Sequence, residues 1–483
     1  MKIEVEKPSI QHIEAARTEK QPDELSDVPA FDKHQEHKLI RKVDLRLLPI
    51  LGALYSIALI DRTNISNARV AGMDEDLELS VGNRYTTALV VFFIGYFIFE
   101  IPSNIILRKV GSANWLSAIA FAWGLVMLGQ GFVKDWRSLA VCRAFLGLFE
   151  SGFFPGCAYL ITCWHVRYDV QKRLAAFYLT SVFVGGLANI LAYGLMQMEG
   201  LGGLRGWQWI FIIEGLLTIV TSIVAWWLIM DFPDKAAEKK FLTPAEATFI
   251  QERIEIDRGD AEPDPLTWPK FFNNLKDFKL WVFALMFMST VMPAYAFAYF
   301  TPTILRGMGY SAGASNALSA PPACAAFFTS MAFAWVGDKY RIRAPVIAIQ
   351  ALICLTGLMI VAYHHNDGVR YFGIFLGTTS CQGNIPAILA YQSNNIRMQS
   401  KRAVGSGLQI GFGAVGGIIA STVFREQDAP KYVNGLWTTA GLQFFILLMV
   451  SGMTVYFITN NRKVDNGTIK KPIEGQPGFK FTL

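Results

Sequence analysis

The sequence predicts an all-α membrane protein with twelve transmembrane helices in two halves of six. Three observations predict this fold class. The 483-residue chain is 52% hydrophobic and 17% charged, whereas an average protein has about 25% charged residues. Long apolar runs, each sufficient for a helix that crosses a bilayer, alternate with short polar loops. One longer polar stretch, residues 231–279, divides these runs into two sets of six.

The apolar runs give the expected helix boundaries. The first half, 38–230, has helices near 45–65, 84–107, 113–132, 138–163, 173–197 and 208–230. The second half, 280–459, has helices near 280–304, 313–336, 344–363, 370–393, 404–424 and 435–459. Residues 1–37 are predicted to be a disordered tail, 231–279 a linker with a charged helix near 244–257, and 460–483 a polar tail. Two six-helix halves joined by a linker are typical of transporters, with a site at the midplane.

Lysine and arginine indicate how the chain is oriented. We number each loop by the predicted helix that precedes it. The short loops after even-numbered helices carry slightly more lysine and arginine than the loops after odd-numbered helices. The basic flanks 38–46 and 462–463 fall on the same side of the membrane as the even-numbered loops. Because basic residues concentrate on the cytosolic side of a membrane, we expect both termini and the linker to be cytosolic.

The fourth apolar run carries two opposite charges. Its central stretch, residues 142–156, reads C-R-A-F-L-G-L-F-E-S-G-F-F-P-G. Arg143 and Glu150 are two helical turns apart, so both project from one face. A charge near the bilayer centre costs about 2.5–3.5 kcal/mol and marks an ion or substrate path, unless the pair only orients helices. We expect Arg143 to hold Glu150 ionised when paired and to let it take up a proton when separated.

The first apolar run ends with a second charged pair, in L-I-D-R-T-N. Asp61 and Arg62 are adjacent, so they cannot share a helix face. One can therefore titrate while the other meets an anion. The alternative is an interfacial charge pair in which Arg62 extends outward to the membrane surface.

The seventh run, M-P-A-Y-A-F-A-Y-F-T-P, is rich in aromatic residues. Tyr295 and Tyr299 are four residues apart and face one side of a helix, so both are candidate substrate-binding residues. Pro293 and Pro302 are expected to break the helix around the site. Aromatic walls would suit a planar organic ligand. Ordinary helix packing and an interfacial aromatic belt are the alternatives.

Other polar residues suggest gates or a further contact to substrate. Glu100 is followed within two turns by a basic helix end, and we expect it to form a gating salt bridge at the cytosolic face. Asp338 and Arg341 lie in a tight loop and are predicted to form a gate latch or a topology signal. Asn395 is a candidate substrate-binding residue, although intramembrane amides usually bond across helices.

Several function classes find no support in the sequence. It contains no Walker A sequence, so we expect no direct use of ATP, and it shows no constellation of catalytic residues that would indicate an enzyme. The six cysteines form no CxxC pair and the six histidines no HExxH motif, so no metal or other cofactor is expected. The net charge of +6 is spread over loops and tails, which does not indicate a nucleic-acid partner.

Three motifs resemble a known family: D-R-T-N in helix 1, E-I-P-S-N in helix 2 and R-A-F-L-G-L-F-E-S-G-F-F-P-G in helix 4. With twelve helices, they resemble the major facilitator superfamily. Residues 40–460 resemble its anion:cation symporter family, in the fungal branch of allantoate, nicotinate, pantothenate and tartrate-type permeases. The segment N-A-R-V-A-G-M is most similar to the corresponding segment of nicotinate permeases.

This resemblance implies proton-coupled uptake of a small organic anion. In such proteins the helix 1 aspartate and the helix 4 glutamate are the protonation sites, here Asp61 and Glu150. The helix 1 arginine, here Arg62, meets the substrate carboxylate, and Arg143 partners the glutamate and is a further candidate for substrate binding. The chain departs from the family in helix 11, where members often have an asparagine at the position of Ala414. It also lacks the superfamily's usual Asp-Arg pair between helices 2 and 3.

The partners expected from this resemblance are a small organic anion, protons and membrane lipid. The protein is expected to be a monomer in the plasma membrane. An exporter of a small acid is the alternative within transport. A nutrient receptor of the same fold is the alternative outside it, although the tails, about 37 and 24 residues long, are short for a receptor.

Overall fold

The structure is a computed structural model. It describes residues 32–233, 241–258, 268–340, 342–396, 398–424, 432–468, 473–475 and 479–483. The helices of the first half are α1 (Lys33–Ala68), α2 (Arg84–Val110), α3 (Ser112–Gln130), α4 (Trp136–Glu150), α5 (Phe153–Trp164), α6 (Arg167–Met196) and α7 (Gly206–Leu228). The linker contains α8 (Pro244–Arg258) and α9 (Trp268–Asn274). Those of the second half are α10 (Phe278–Gly307), α11 (Ala312–Tyr340), α12 (Ala344–Tyr363), α13 (Asp367–Asn395), α14 (Gln399–Val423) and α15 (Val433–Asp465).

This architecture confirms the predicted fold class. Within the described ranges, ten helical stretches are long and apolar enough to cross a membrane, with α4 and α5 together forming one of them. The helices α2 and α13, 27 and 29 residues long, bring the set to the twelve expected crossings. The predicted linker helix near 244–257 is present as α8.

Helix α1 is longer than the sequence predicts at both ends. It begins at Lys33 instead of near residue 45, because its polar first turns find partners outside the apolar run. Asp44, for example, accepts hydrogen bonds from Arg173 Nε at 2.6 Å and Nη2 at 2.7 Å. Beyond Ala68 the chain continues through a widened turn, Arg69–Met73, so most of the predicted loop 66–83 is helical.

The fourth crossing is two helices instead of the single one predicted. Helix α4 ends at Glu150 and α5 begins at Phe153. Pro155 explains the interruption, because a proline has no N–H for the carbonyl four residues earlier, here that of Ser151. Glu150 therefore lies at the end of a helix.

Helix α10 is continuous, so the predicted break at its prolines is wrong. A proline leaves the carbonyl four residues before it without its usual donor. In α10 these carbonyls find other donors: Gln443 Nε2 donates to Ser289 O at 3.0 Å, and Ser66 Oγ donates to Ala298 O at 3.3 Å. Side chains of neighbouring helices thus satisfy the backbone, as is required in a membrane.

The two halves pack along three helix pairs, α1 with α10, α2 with α14, and α6 with α11. We call the end where α1 begins and the linker lies the linker end, and the opposite end the far end. Contacts between the halves close the far end. Arg306 Nη1 donates to Val70 O at 2.6 Å, and the rings of Tyr85 and Phe300 meet edge to face at 6.2 Å.

The last described residues, 479–483, return to the second half at the linker end. Asn461 accepts from the N–H of Phe481 and donates to its carbonyl, each at 2.8 Å. Asn395 pairs with Thr482 in the same way, at 2.8 and 3.1 Å. The ring of Phe481 stacks on Phe457 with centroids 4.2 Å apart. This part of the predicted polar tail is packed against the helix ends.

Candidate functional site

A cavity of about 200 Å³ lies between the halves, near the middle of the helices. Both halves line it, and its wall is mostly apolar and aromatic. From the first half come Tyr55, Arg62, Phe93, Tyr96, Phe154 and Tyr178, and from the second half Tyr295, Thr378, Gln382 and Ala414, among others. A largely apolar cavity with a few convergent polar groups is the usual form of a small-molecule site.

Arg62 is the charged residue among those that line the cavity. Its guanidinium group contacts side chains of both halves. Its Nε donates to Glu150 Oε1 at 3.0 Å, and its Nη2 also contacts that oxygen. Its Nη1 donates to the hydroxyl of Tyr295. Arg62 is 6% exposed, so the alternative in which it extends to the membrane surface does not fit. The second oxygen of Glu150, Oε2, is buried and accepts no hydrogen bond from the described residues.

The expected pairing of Arg143 with Glu150 is not formed in this structure. Seven residues span about 10.5 Å along a helix, whereas ion pairs within a helix form at spacings of three or four. The two residues do share a face of α4, but α1 crosses that face between them. Arg143 Nη2 donates to the backbone oxygen of Arg62 at 3.1 Å and Nη1 to that of Asp61 at 3.4 Å. Arg143 thus holds the backbone at the charged turn of α1.

Asp61 points away from the cavity, into the first half. Its Oδ2 accepts hydrogen bonds from Trp123 Nε1 and Thr218 Oγ1, both at 3.1 Å. The Thr218 hydroxyl also lies 2.8 Å from the carbonyl oxygen of Glu214. A proton on Asp61 could therefore be donated to Thr218 Oγ1 while the Thr218 proton goes to that carbonyl. The arrangement can hold Asp61 in either protonation state.

The two predicted tyrosines have different positions. Tyr295 lines the cavity, and its ring is 5.7 Å from the guanidinium carbon of Arg62. Tyr299 is 1% exposed and stacks on Tyr295 with centroids 5.7 Å apart, outside the cavity wall. Phe93 of the first half meets Tyr295 edge to face at 4.9 Å. Tyr299 therefore supports the wall that Tyr295 forms.

Of the remaining predicted residues, Asn395 and Glu100 lie apart from the cavity wall. Asn395 is buried at the linker end, where it binds Thr482, so a substrate contact from this residue does not fit the structure. Glu100 is 5% exposed on α2, one turn beyond Tyr96, and its gating role stays a prediction. The side chain of Asp338 and the whole of Arg341 lie outside the described residues.

The sequence analysis did not predict several residues that lie at or near the site. Tyr55 lies two turns before Arg62 on α1, so its spacing could have revealed it. Tyr178 donates to Gln382 Oε1 at 3.3 Å across the cavity, a contact that no sequence pattern indicates. Glu214 is a carboxyl group within an apolar run, which by itself should have marked it. No group of three or more potential metal ligands occurs among the described residues.

Two six-helix halves around a central, aromatic-walled cavity define a helical membrane transporter. A model of the Major Facilitator Superfamily matches residues 51–421, and the chain belongs to this superfamily. It is therefore a multi-pass membrane protein.

Curated relatives are transporters of the same superfamily or carry a transporter name. An uncharacterized transporter of Schizosaccharomyces pombe is 31% identical over 92% of this chain and 87% of its own length. The major facilitator-type transporter hxnP of Emericella nidulans is 29% identical over 97% and 95%. The MFS-type transporter cnsO of Penicillium expansum is 32% identical over 85% and 81%.

Solved structures share the fold at low sequence identity. The proton:xylose symporter XylE of the major facilitator superfamily, bound to 6-bromo-6-deoxy-D-glucose, has a TM-score of 0.66 at 15% identity, covering 86% of this chain and 96% of its own. A bacterial homolog of the human lysosomal transporter Spinster, in an inward-facing and unoccupied conformation, has a TM-score of 0.65 at 15% identity, covering 85% and 95%.

Proposed function

We propose that this chain is a symporter that takes up a small organic anion together with protons. The observation that carries the proposal is the ion pair of Arg62 and Glu150 at the cavity wall. The pair combines an anion-binding cation with a carboxylate that can accept a proton. The sequence resemblance to anion:cation symporters supports the same mechanism.

Charge balance gives the reason for coupling. An anion that binds Arg62 takes the place of Glu150, which is 2% exposed and would remain as a second negative charge. Removing one partner from a buried ion pair typically costs 3–5 kcal/mol, because the other charge is left uncompensated. A proton on Glu150, whose Oε2 is open to receive it, removes this cost. Anion binding and proton binding therefore favour each other.

Asp61 is proposed as the second protonation site. It is one residue from Arg62 but faces α3 and α7, so its protonation would act on the packing inside the first half. Arg143 links the two sites, since it binds the backbone oxygens of both Asp61 and Arg62. Its proposed task is to position α1; it does not contact the substrate in this proposal.

The cavity wall supports a planar aromatic acid as the substrate, with nicotinate as the first candidate. Phe154 and Tyr178 line it beside Tyr55, with Tyr55 and Phe154 at a centroid distance of 5.0 Å. Tyr295 lies on the opposite side, next to Arg62. Aromatic rings favour stacked and edge-on contacts with another ring, each adding about 0.5–1.5 kcal/mol. The carboxylate of the ligand would meet Arg62.

The proposed setting is the plasma membrane, with a monomeric protein whose linker end faces the cytosol. Contacts between the halves at the far end support an inward-facing state, because they close the cavity on that side. The basic residues near the linker end support the same orientation.

The test is uptake of radiolabelled nicotinate by cells that express the chain, at acidic and at neutral external pH, with and without an uncoupler. We expect faster uptake at acidic pH and its loss with the uncoupler. Uptake that is indifferent to both would contradict proton coupling. If no uptake occurs, ureides, pantothenate, dicarboxylates and sugar acids follow as substrates, and preloaded cells are assayed for efflux, which distinguishes an exporter. Failure to move any of these anions in either direction would contradict transport of an organic anion.

A further inference from the structure

Glu214 is a buried carboxyl group to which the transport mechanism assigns no task. It lies on α7, is 1% exposed and does not line the cavity. Its partner is Asn64 on α1, which is fully buried and donates from Nδ2 to Glu214 Oε2. The contact joins two helices of the first half.

The side chains of Asn64 and Glu214 each have one oxygen atom that takes no part in this contact. Asn64 Oδ1 and Glu214 Oε1 are both buried, and neither finds a hydrogen-bond partner in the described part of the chain. Leaving a buried acceptor unsatisfied costs about 1–3 kcal/mol, and more if it is charged. A protonated carboxylic acid has one O–H donor and an amide oxygen is an acceptor. One proton on Glu214 would therefore satisfy both atoms.

We propose that Glu214 is held in its protonated, neutral form and makes a two-hydrogen-bond pair with Asn64. In this pair the amide N–H donates to Glu214 Oε2, and the acid O–H donates from Oε1 to Asn64 Oδ1. Flipping the side-chain amide of Asn64 exchanges its nitrogen and oxygen positions. The amide oxygen then again faces one of the carboxyl oxygens of Glu214. Either orientation of Asn64 needs the same proton.

The charges around Glu214 favour the neutral form. Helix α3, which packs closely against α7, has no ionisable side chain along its length. On α1, Asp61 is of the same sign as ionised Glu214. In the widened turn after α1, Arg69 is engaged with Asp74 at 3.6 Å and lies over the ring of Tyr85 at 4.2 Å. The acidic and basic residues of α6, 167–173, lie in its first two turns at the linker end. An ionised Glu214 would therefore be a second buried negative charge beside Asp61.

In this proposal, the carboxyl groups of Asp61 and Glu214, which lie one helical turn apart along the contact of α1 with α7, have different roles. The Asn64–Glu214 pair fixes α1 against α7, and Asp61 and Thr218 meet on the next turn of the same two helices. Glu214 is thus a positioning residue for Asp61, which remains free to titrate. This inference does not depend on which substrate the protein carries.

Infrared spectroscopy of the purified protein tests the proposal. We expect a carbonyl absorption of a protonated carboxylic acid that stays constant from acidic to alkaline pH and is missing in Glu214→Gln. If the spectra of the two proteins are the same, or if the difference band disappears on raising the pH through neutrality, Glu214 is ionised or titrates, and the proposal is wrong.

Conservative rescue provides a second test. A glutamine at this position can make both hydrogen bonds to Asn64, so Glu214→Gln should keep the wild-type melting temperature and pH profile of transport. Glu214→Leu cannot make them and should lower the melting temperature. A Glu214→Gln protein that fails to fold, or whose pH profile shifts, would contradict a permanently neutral acid. If the leucine variant matches the glutamine variant in stability, the pair contributes nothing and the proposal also fails.

Discussion

At the scale of single residues, Arg62 connects the two halves of the protein. It binds Glu150 of the first half and the hydroxyl of Tyr295 in the second. Because an incoming anion competes for the same guanidinium, Arg62→Ala should weaken anion binding. A buried hydrogen-bonded charge is worth about 2–5 kcal/mol, which corresponds to a loss of affinity of about 30-fold or more. Competition of unlabelled anion against labelled uptake measures this; an unchanged half-inhibitory concentration would remove Arg62 from the site.

Glu150→Gln should separate substrate exchange from accumulation. The glutamine cannot take up a proton, so the variant should exchange labelled for unlabelled anion but not concentrate it. In the wild type each coupled proton supplies about 1.4 kcal/mol per pH unit, a tenfold concentration ratio. Accumulation and counterflow are measured on the same cells. Loss of both activities at normal surface expression would indicate that Glu150 only holds the structure together.

The sequence alone predicted Asp61, Arg62 and Glu150 as candidate site residues, because an ionisable residue within an apolar run is costly and therefore conspicuous. It did not identify their partners. The spacing of Arg143 and Glu150 shows that they share a helix face, but it does not show that α1 crosses that face and brings Arg62 to Glu150. Contacts between residues 88 positions apart depend on helix packing, which periodicity does not encode.

Asn395 is a second residue whose contact could not be predicted from the local sequence. An amide near the end of an apolar run has the same appearance whether it faces a cavity or a neighbouring segment. Here its partner is Thr482, 87 residues further on, in a stretch too polar to be expected in a packed position. The local sequence around Asn395 carries no signal of that contact.

At the scale of elements, the close approach of α2 and α4 depends on Gly147. A Cβ atom at this position would lie 2.0 Å from the carbonyl oxygen of Phe92, a backbone atom that cannot turn aside. Gly147→Val should therefore lower the melting temperature and uptake, by about 3 kcal/mol of stability or more. Gly441, where a Cβ meets nothing within 4 Å, provides the control in Gly441→Val. Equal melting temperatures for the two variants would show that α2 and α4 tolerate separation.

Hydropathy predicted the middle of each helix and both ends of α12, but not the ends of helices that extend beyond their apolar runs, such as α1. The ends are polar, and they remain helical because other elements satisfy them, as Arg173 satisfies Asp44 near the start of α1. Proline was also an unreliable signal in this chain. Pro155 separates α4 from α5, whereas Pro293 leaves α10 intact because Gln443 supplies the missing donor.

At the scale of the whole molecule, residues 479–483 tie together helix ends of the second half. Phe481 is 5% exposed and stacks on Phe457, and its backbone pairs with Asn461. Phe481→Ala should release the segment and lower the melting temperature; buried phenylalanine to alanine costs about 3–5 kcal/mol, less where only a segment detaches. Limited proteolysis beyond residue 465 measures the release. Phe444→Ala, at a position 59% exposed, is the control, and equal protease resistance of the two variants would contradict the packing.

A cluster of charges at the linker end makes stability depend on pH. Burial alone would raise the pKa of Asp277, but the hydrogen bond from Lys401 and the charges of Lys279 and Lys401 outweigh it, and the pKa lies below its usual value. Burial alone would lower the pKa of Lys401, but Asp277 and Glu474 raise it. The carboxylate stabilises the fold above about pH 3.9, its unfolded pKa, and the ammonium below about pH 10.4. Both contributions are therefore complete at neutral pH.

Lys401→Met should lower the melting temperature by a constant amount from about pH 5 to about pH 9. The deficit relative to the wild type should shrink as the pH falls through the folded pKa of Asp277, because that carboxylate is then neutral in both proteins. Thermal unfolding, measured from about pH 9 down to acid below the folded pKa of Asp277, tests both expectations. The control is Lys480→Met, at an exposed pair with Asp465. A deficit that grows in acid would show that Lys401 acts through other groups.

The polar and aromatic contacts between the halves at the far end are individually weak, and this affects how often the protein changes conformation by itself. Among the described residues, they include hydrogen bonds from Ser66, from Arg306 and from Asn316 to the sulfur of Met196, and the edge-to-face contact of Tyr85 with Phe300. Each is worth about 0.5–3 kcal/mol. A conformation only a few kcal/mol above the ground state is populated at about 0.1–10%. The empty protein should therefore visit the alternative state spontaneously, so that an external ligand can capture it without first having to force the two halves apart.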